Sequence, residues 1–251
     1  MTSNIFLKQF TIKFEEILKG NLVCLLLIGS VKNQAETPFS DIDLVAIVKD
    51  IDFKQMRQVR KLIRQTSQLL DLSFLCLEEI PSDSNRFRLG SHGCYHLELI
   101  LKKAKVLSGN NIFTKIKSPS KKALRLSVFE KIIEYTWWAR RMFVESNREL
   151  LIENNYKINT RLIKMLRDLM FLSGLSNVSG TPKEIVDSFM EMYPSLLLPQ
   201  ENKILVSLAD LDLAKENAYN TSDKYLEIRL VIVNKIHKCA NKILKYEYMQ
   251  R

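Results

Sequence analysis

Residues 25–48 read LLLIGSVKNQAETPFSDIDLVAIV. Both ends of the stretch are apolar and its middle is polar. The first apolar run is continuous from Leu22 to Ile28, with the length and unbroken hydrophobicity of a strand covered on both faces. Gly29 and Ser30 end it. A polar segment from Val31 to Ser40 leads into a second run, where Ile42, Leu44, Val45, Ile47 and Val48 suit another buried strand. Asp41 and Asp43 flank Ile42 at the start of this strand. Successive strand side chains point to opposite faces, so the two aspartates project together while Ile42 points into the core.

The neighbouring segments extend this pattern. Upstream, Phe6, Phe10, Phe14, Ile17 and Leu18 recur at helical spacing, and Gly20 stands where a helix would end. Downstream, Met56, Val59, Leu62, Ile63, Thr66, Leu69 and Leu70 lie on one face of a helix expected over 53–70. A third strand is expected over 71–77. Tyr95, Leu97, Leu99 and Leu101 alternate, which predicts a further strand, although a helix running to Lys105 is the alternative. After Pro119 the pattern becomes helical, over about 124–153, 159–173, 182–192, 201–218 and 222–247, with Gly174, Gly180, Pro182, Pro194 and Pro199 as breaks. The expected fold class is α+β. A mixed-sheet domain with helices occupies 1–118, and an all-α bundle of four or five helices occupies 119–251.

The chemistry is concentrated at the strand ends. Two like charges about 4 Å apart repel by about 4 kcal/mol at an effective dielectric of 20, and a bound cation relieves that cost. Asp71, at the head of the third strand, reaches the same place if its strand is adjacent. Magnesium suits such hard oxygen donors and keeps positions open for water and phosphate. Two ions about 3.5–4 Å apart can stabilise both the entering and the leaving oxygen of a displacement at phosphorus. Gly29 lets backbone amides approach a phosphate, and Ser30 adds a hydroxyl.

LLLIGS, then SDIDLVAIV, then LDLSFL resembles the signature of the nucleotidyltransferase superfamily, which contains DNA polymerase beta and the aminoglycoside nucleotidyltransferases. Gly29, Ser30, Asp41, Asp43 and Asp71 occupy the motif positions, and the similarity covers roughly the first 110 residues. The stretch from Lys105 to Gly109 looks like the one that closes the small bacterial members. Where many members carry an arginine and a second glycine, this chain has Val31, Lys32, Asn33 and Gln34.

The resemblance implies a nucleotidyltransferase that moves a nucleoside monophosphate, AMP from ATP, to an acceptor hydroxyl and releases pyrophosphate. It implies that Asp41 and Asp43 bind two Mg2+ ions, and that Asp71 binds the catalytic ion and helps deprotonate the acceptor. Gly29, Ser30, Lys32 and Ser40 would hold the triphosphate, Lys32 taking the arginine's place. An aminoglycoside-like small molecule is the first expectation for the acceptor, as in antibiotic resistance. The alternatives are a protein or RNA acceptor, or a non-catalytic nucleotide-binding regulator or antitoxin.

The bulk properties set bounds on these readings. The chain of 251 residues has room for two cores, and its 46% hydrophobic and 26% charged residues are those of a folded globular protein. Its net charge of +10 attracts any anion and names no partner. Lys115, Lys117, Lys121 and Lys122 read as a solvated linker, and the basic residues are not gathered with aromatics as in an RNA-binding module. Cys24, Cys76, Cys94 and Cys239 lie far apart and form no zinc pattern. No apolar run is long enough to span a bilayer and no signal segment is evident, so no membrane partner and a cytoplasmic location are expected.

Other residues carry weaker signals. His92, Cys94 and His96 read as loop or core residues rather than metal ligands, and Trp137 and Trp138 as helix packing rather than stacking on a ligand ring. Glu78, Glu79 and Glu98 are reserve acids. Glu130, Glu134, Glu145, Glu149 and Glu153 fall on one expected helix, where they form either an acidic wall for a cationic acceptor or a wet face. Oligomeric state is not encoded in any motif.

Overall fold

The computed structural model describes residues 3–28, 42–50, 52–66, 70–87, 93–145, 148–175, 180–210 and 222–249. Its α-helices are α1 (Ser3–Leu18), α2 (Phe53–Arg64), α3 (Cys94–Lys103), α4 (Lys121–Glu145), α5 (Arg148–Leu172), α6 (Pro182–Met192), α7 (Pro199–Ala209) and α8 (Asp223–Met249). The strands are β1 (Leu22–Ile28), β2 (Ile42–Val48), β3 (Leu70–Cys76) and β4 (Lys105–Gly109). The chain divides into two compact units, Met1–Leu124 and Arg125–Arg251. The fold is α+β: a mixed-sheet unit followed by an all-α unit.

The strands lie in the order β3-β2-β1-β4. β1 runs antiparallel to β2 and β4, while β2 and β3 are parallel. α2 supplies the crossover that a parallel pair requires. Its N-terminus is capped by Asp52, whose carboxylate accepts from the amides of Lys54 and Gln55. The Gln55 side chain donates to the carbonyls of Ile17 and Leu18, each at 3.1 Å, tying α2 to the end of α1.

The unbroken hydrophobicity of β1 and β2 arises because the sheet is covered on both faces. On one face Leu25, Leu27, Leu44, Ala46 and Val48 pack with Leu7, Phe10, Phe14 and Leu18 of α1 and Val59 of α2. On the other, Cys24, Leu26, Ile28, Val45, Ile47 and Leu75 pack with Leu97 and Ile100 of α3 and with Phe87 and Phe113.

The strand expected at Tyr95–Leu101 is helix α3 instead. Cys94, Leu97, Ile100 and Leu101 recur at intervals of three and four, and Leu97 and Ile100 are buried against the sheet. That gain outweighs the alternation of Tyr95, Leu97, Leu99 and Leu101, which a strand would spend on a sheet edge β4 already holds. The helix expected to span 53–70 ends at Arg64, and β3 begins at Leu70. In the second unit the segment expected to run from 124 to 153 is two helices, α4 ending at Glu145 and α5 beginning at Arg148.

Buried charge pairs tie the helical unit together. Asp168 of α5 is fully buried, with Lys131 of α4 at 3.7 Å and Arg167 at 3.4 Å. Glu201 of α7 is 2.7 Å from Lys235 of α8, and Arg229 of α8 donates to Asn159 of α5 at 2.7 Å. Thr181 and Glu184 form a capping box at the start of α6, with Pro182 in the first turn. No helix among the described residues is long and apolar enough to cross a membrane.

Candidate active site

The parallel ladder between β2 and β3 sets Asp43 opposite Asp71. The antiparallel ladder on the other side of β2 sets Ile28, the last residue of β1, opposite Asp43. The end of β1 and the beginnings of β2 and β3 therefore meet at one end of the sheet. Strand alternation puts Asp43 on the same face as Val45 and Ile47, and Asp71 on the same face as Leu75. This is the face on which α3 packs. Asp43 is half-buried and Asp71 exposed, so the pair runs from the sheet interior out to water.

Adjacent strands are about 4.8 Å apart, so one cation can touch both carboxylates. Two hard oxygen donors at a wet rim fit magnesium, which retains several waters or phosphate oxygens in its shell. Among the described residues no group of three or more potential ligands surrounds a common point. Asp41, the remaining carboxylate of the expected set, lies outside the described residues, as do Gly29, Ser30, Lys32 and Ser40. In the chain Gly29 follows Ile28 directly and Asp41 precedes Ile42.

Two of the three reserve acids are engaged elsewhere. Glu79 accepts from the Cys76 amide at 2.6 Å and caps the short turn after β3, where Glu78 is exposed. Glu98 lies on α3, mostly buried, and pairs with Lys102 one turn later. Cys94 is buried with its thiol donating to the Asn85 carbonyl at 2.9 Å. His96, two positions on, points about 200° around the helix from Cys94, so the two cannot share an ion. His92 is outside the described residues.

In the helical unit Trp138 lies under the Arg161 guanidinium at 3.9 Å, and Tyr135 is buried with Arg161 and Lys131 each 5.5 Å from its ring. Packing thus accounts for Trp138 but not for Trp137, which is 58% exposed. The five glutamates expected on one helix are divided, with Glu130, Glu134 and Glu145 on α4 and Glu149 and Glu153 on α5.

No protein-family model and no curated protein matches the sequence. Among solved structures, spectinomycin adenyltransferase AAD(9) from Enterococcus faecialis, crystallised with ATP and spectinomycin, superposes with a TM-score of 0.67. The alignment covers 94% of this chain and 99% of that one at 13% identity.

This chain shares the fold of that structure.

The likeness spans both the sheet unit and the helical unit. A mutant of the toxin–antitoxin pair MntA–HpeT aligns over 54% of this chain and 91% of that one, at 15% identity and a TM-score of 0.30, a superposition too loose to carry weight. Within this fold, sequence reasoning placed Asp43 and Asp71 on their strands. It left open whether those strands were neighbours, and the ladder answers that.

Proposed function

We propose that this protein is a magnesium-dependent nucleotidyltransferase that transfers AMP from ATP to a hydroxyl of a small-molecule acceptor and releases pyrophosphate. The observation that carries the reading is the Asp43–Asp71 pair on adjacent parallel strands, with Asp41 two residues upstream of Asp43. In this reading Asp41 and Asp43 hold the metal ions, and Asp71 holds the catalytic one. Gly29, Ser30, Lys32 and Ser40 hold the triphosphate at the end of β1. When bound, two magnesium ions supply neutralisation of the phosphate charge in the in-line displacement. Asp71, exposed at the rim, meets the acceptor and takes its hydroxyl proton. The acceptor oxygen forms a bond to the α-phosphorus as the bond from that phosphorus to the bridging oxygen breaks.

An aminocyclitol or aminoglycoside acceptor is supported by the match to a spectinomycin adenyltransferase over both units. In this reading the protein confers antibiotic resistance. We place the reaction in the cytoplasm, in keeping with four free cysteines.

The test offers α-labelled ATP, GTP, CTP and UTP with magnesium, against aminoglycosides, aminocyclitols, lincosamides, proteins and short RNAs. Asp41→Ala/Asp43→Ala serves as control. Transfer to one small-molecule class, lost in the double variant, supports the reading. Transfer to protein or RNA replaces the acceptor class. Nucleotide binding with no transfer to any acceptor, while a known transferase works alongside, favours a regulator.

A further inference from the structure

We infer that two copies of this chain associate through the exposed face of α4, antiparallel about a two-fold axis at the level of Tyr135. α4 is apolar on two sides. Val128, Ile132, Tyr135 and Ala139 are buried in the helical unit. On the opposite side Leu126, Ile133, Trp137 and Val144 are 39%, 40%, 58% and 81% exposed. At 100° per residue these four fall within about 40° of one line, and the ridge they form is about 27 Å long. Single exposed apolar residues are ordinary, but four aligned along one helix face, with charges in the gaps, suit an interaction surface.

The arrangement of the ridge identifies its occupant. Leu126 and Val144 each stand nine residues from Tyr135 and Ile133 and Trp137 two, while Glu130 stands five before it and Arg141 six after. A second α4 laid antiparallel across the two-fold axis sets Leu126 against Val144 of the second copy and Ile133 against its Trp137. It also sets Glu130 against Arg141 of the second copy, because both lie on the same flank of the ridge. The axis repeats every contact, as an isologous interface requires. A parallel pairing brings opposite flanks together and would set Arg141 against Arg140 of the second copy, so charge favours the antiparallel register. The basic side chains are already held: Arg140 donates to Asn234 of α8 at 3.0 Å, and Arg141 lies 5.6 Å from the Trp137 ring. Ordering them on association therefore costs little further side-chain entropy.

Sedimentation velocity on the full chain, from about 5 to about 200 µM, tests this; a ridge this narrow suits micromolar affinity. The mass is expected to rise from 29.2 kDa towards twice that value. Ile133→Glu and Trp137→Glu are expected to stay at the monomer mass throughout, with unchanged melting curves, because both positions are exposed in the single chain. Glu130→Arg alone and Arg141→Glu alone should each weaken association by about tenfold or more. An equimolar mixture of those two variants restores opposite charges at both contacts and should recover the dimer. A wild type that stays monomeric at about 200 µM overturns the inference. So does a dimer that survives Ile133→Glu, or a mixture that associates no better than its components.

Discussion

Asp43 of β2 and Asp71 of β3 are directly paired across a parallel ladder, on the sheet face that α3 covers. Their mutual repulsion is a cost the fold bears without a cation. Asp43→Asn and Asp71→Asn should each lower nucleotidyl transfer by about a hundredfold or more. In metal-free buffer the same variants should melt at or slightly above the wild-type temperature, by the equivalent of at most about 1 kcal/mol. Steady-state rates and thermal melts of the three proteins check both expectations.

Magnesium should act on stability through the same pair. Ligand that binds only the folded state raises its apparent stability. Adding magnesium with ATP should therefore raise the melting temperature of the wild type, and EDTA should reverse the rise. Asp43→Asn should show a smaller rise. An identical rise in both proteins would place the ion elsewhere.

Gly109 ends β4 with φ at +73°, paired with Cys24 of β1. A Cβ there would fall inside van der Waals contact with the Val23 carbonyl oxygen, which is backbone and cannot turn aside. Gly109→Ala should cost about 2 kcal/mol or more, read from urea unfolding. Gly20→Ala is the control, since a Cβ there meets nothing within 4 Å.

The helical unit carries an alkaline signature. Burial, and then the nearby Asp168 carboxylate, push the Tyr135 phenol up to about 12. An acid whose folded value exceeds its unfolded value near 10 stabilises the fold below about pH 10, and that contribution is lost as pH rises towards 12. Tyr135→Phe removes it while keeping the ring under Lys131 and Arg161. Between those pH values the wild type should lose up to about 2 kcal/mol more stability than the variant.

Asp168 is fully buried between cations, so Asp168→Ala strands Lys131 and Arg167 partly out of water. The expected loss is about 3 kcal/mol, measured by chemical denaturation.

The sheet was largely legible because β1 and β2 are buried on both faces, and burial writes itself into the chain as unbroken apolar runs between polar ends. The Asp43–Asp71 pairing was legible only in part. Each aspartate could be placed at its strand's head, but adjacency of the strands is set by the α2 crossover and by packing. α3 was misread because Tyr95–Leu101 satisfies two periodicities at once, and only the contact of Leu97 and Ile100 with the sheet decides between them. The ridge on α4 was hidden for a related reason. Apolar residues on opposite sides of one helix cancel in any one-sided pattern, so its exposed face becomes visible only once the buried face is known.

The central claim is that the bond broken lies at the α-phosphorus. Parallel reactions with α-labelled and γ-labelled ATP, magnesium and the acceptor identified in the panel measure this directly. Label should reach the acceptor only from the α position, with the γ label appearing in pyrophosphate, and neither should move with Asp43→Asn. Transfer of the γ label to the acceptor, or α-label transfer undiminished in Asp43→Asn, would contradict it.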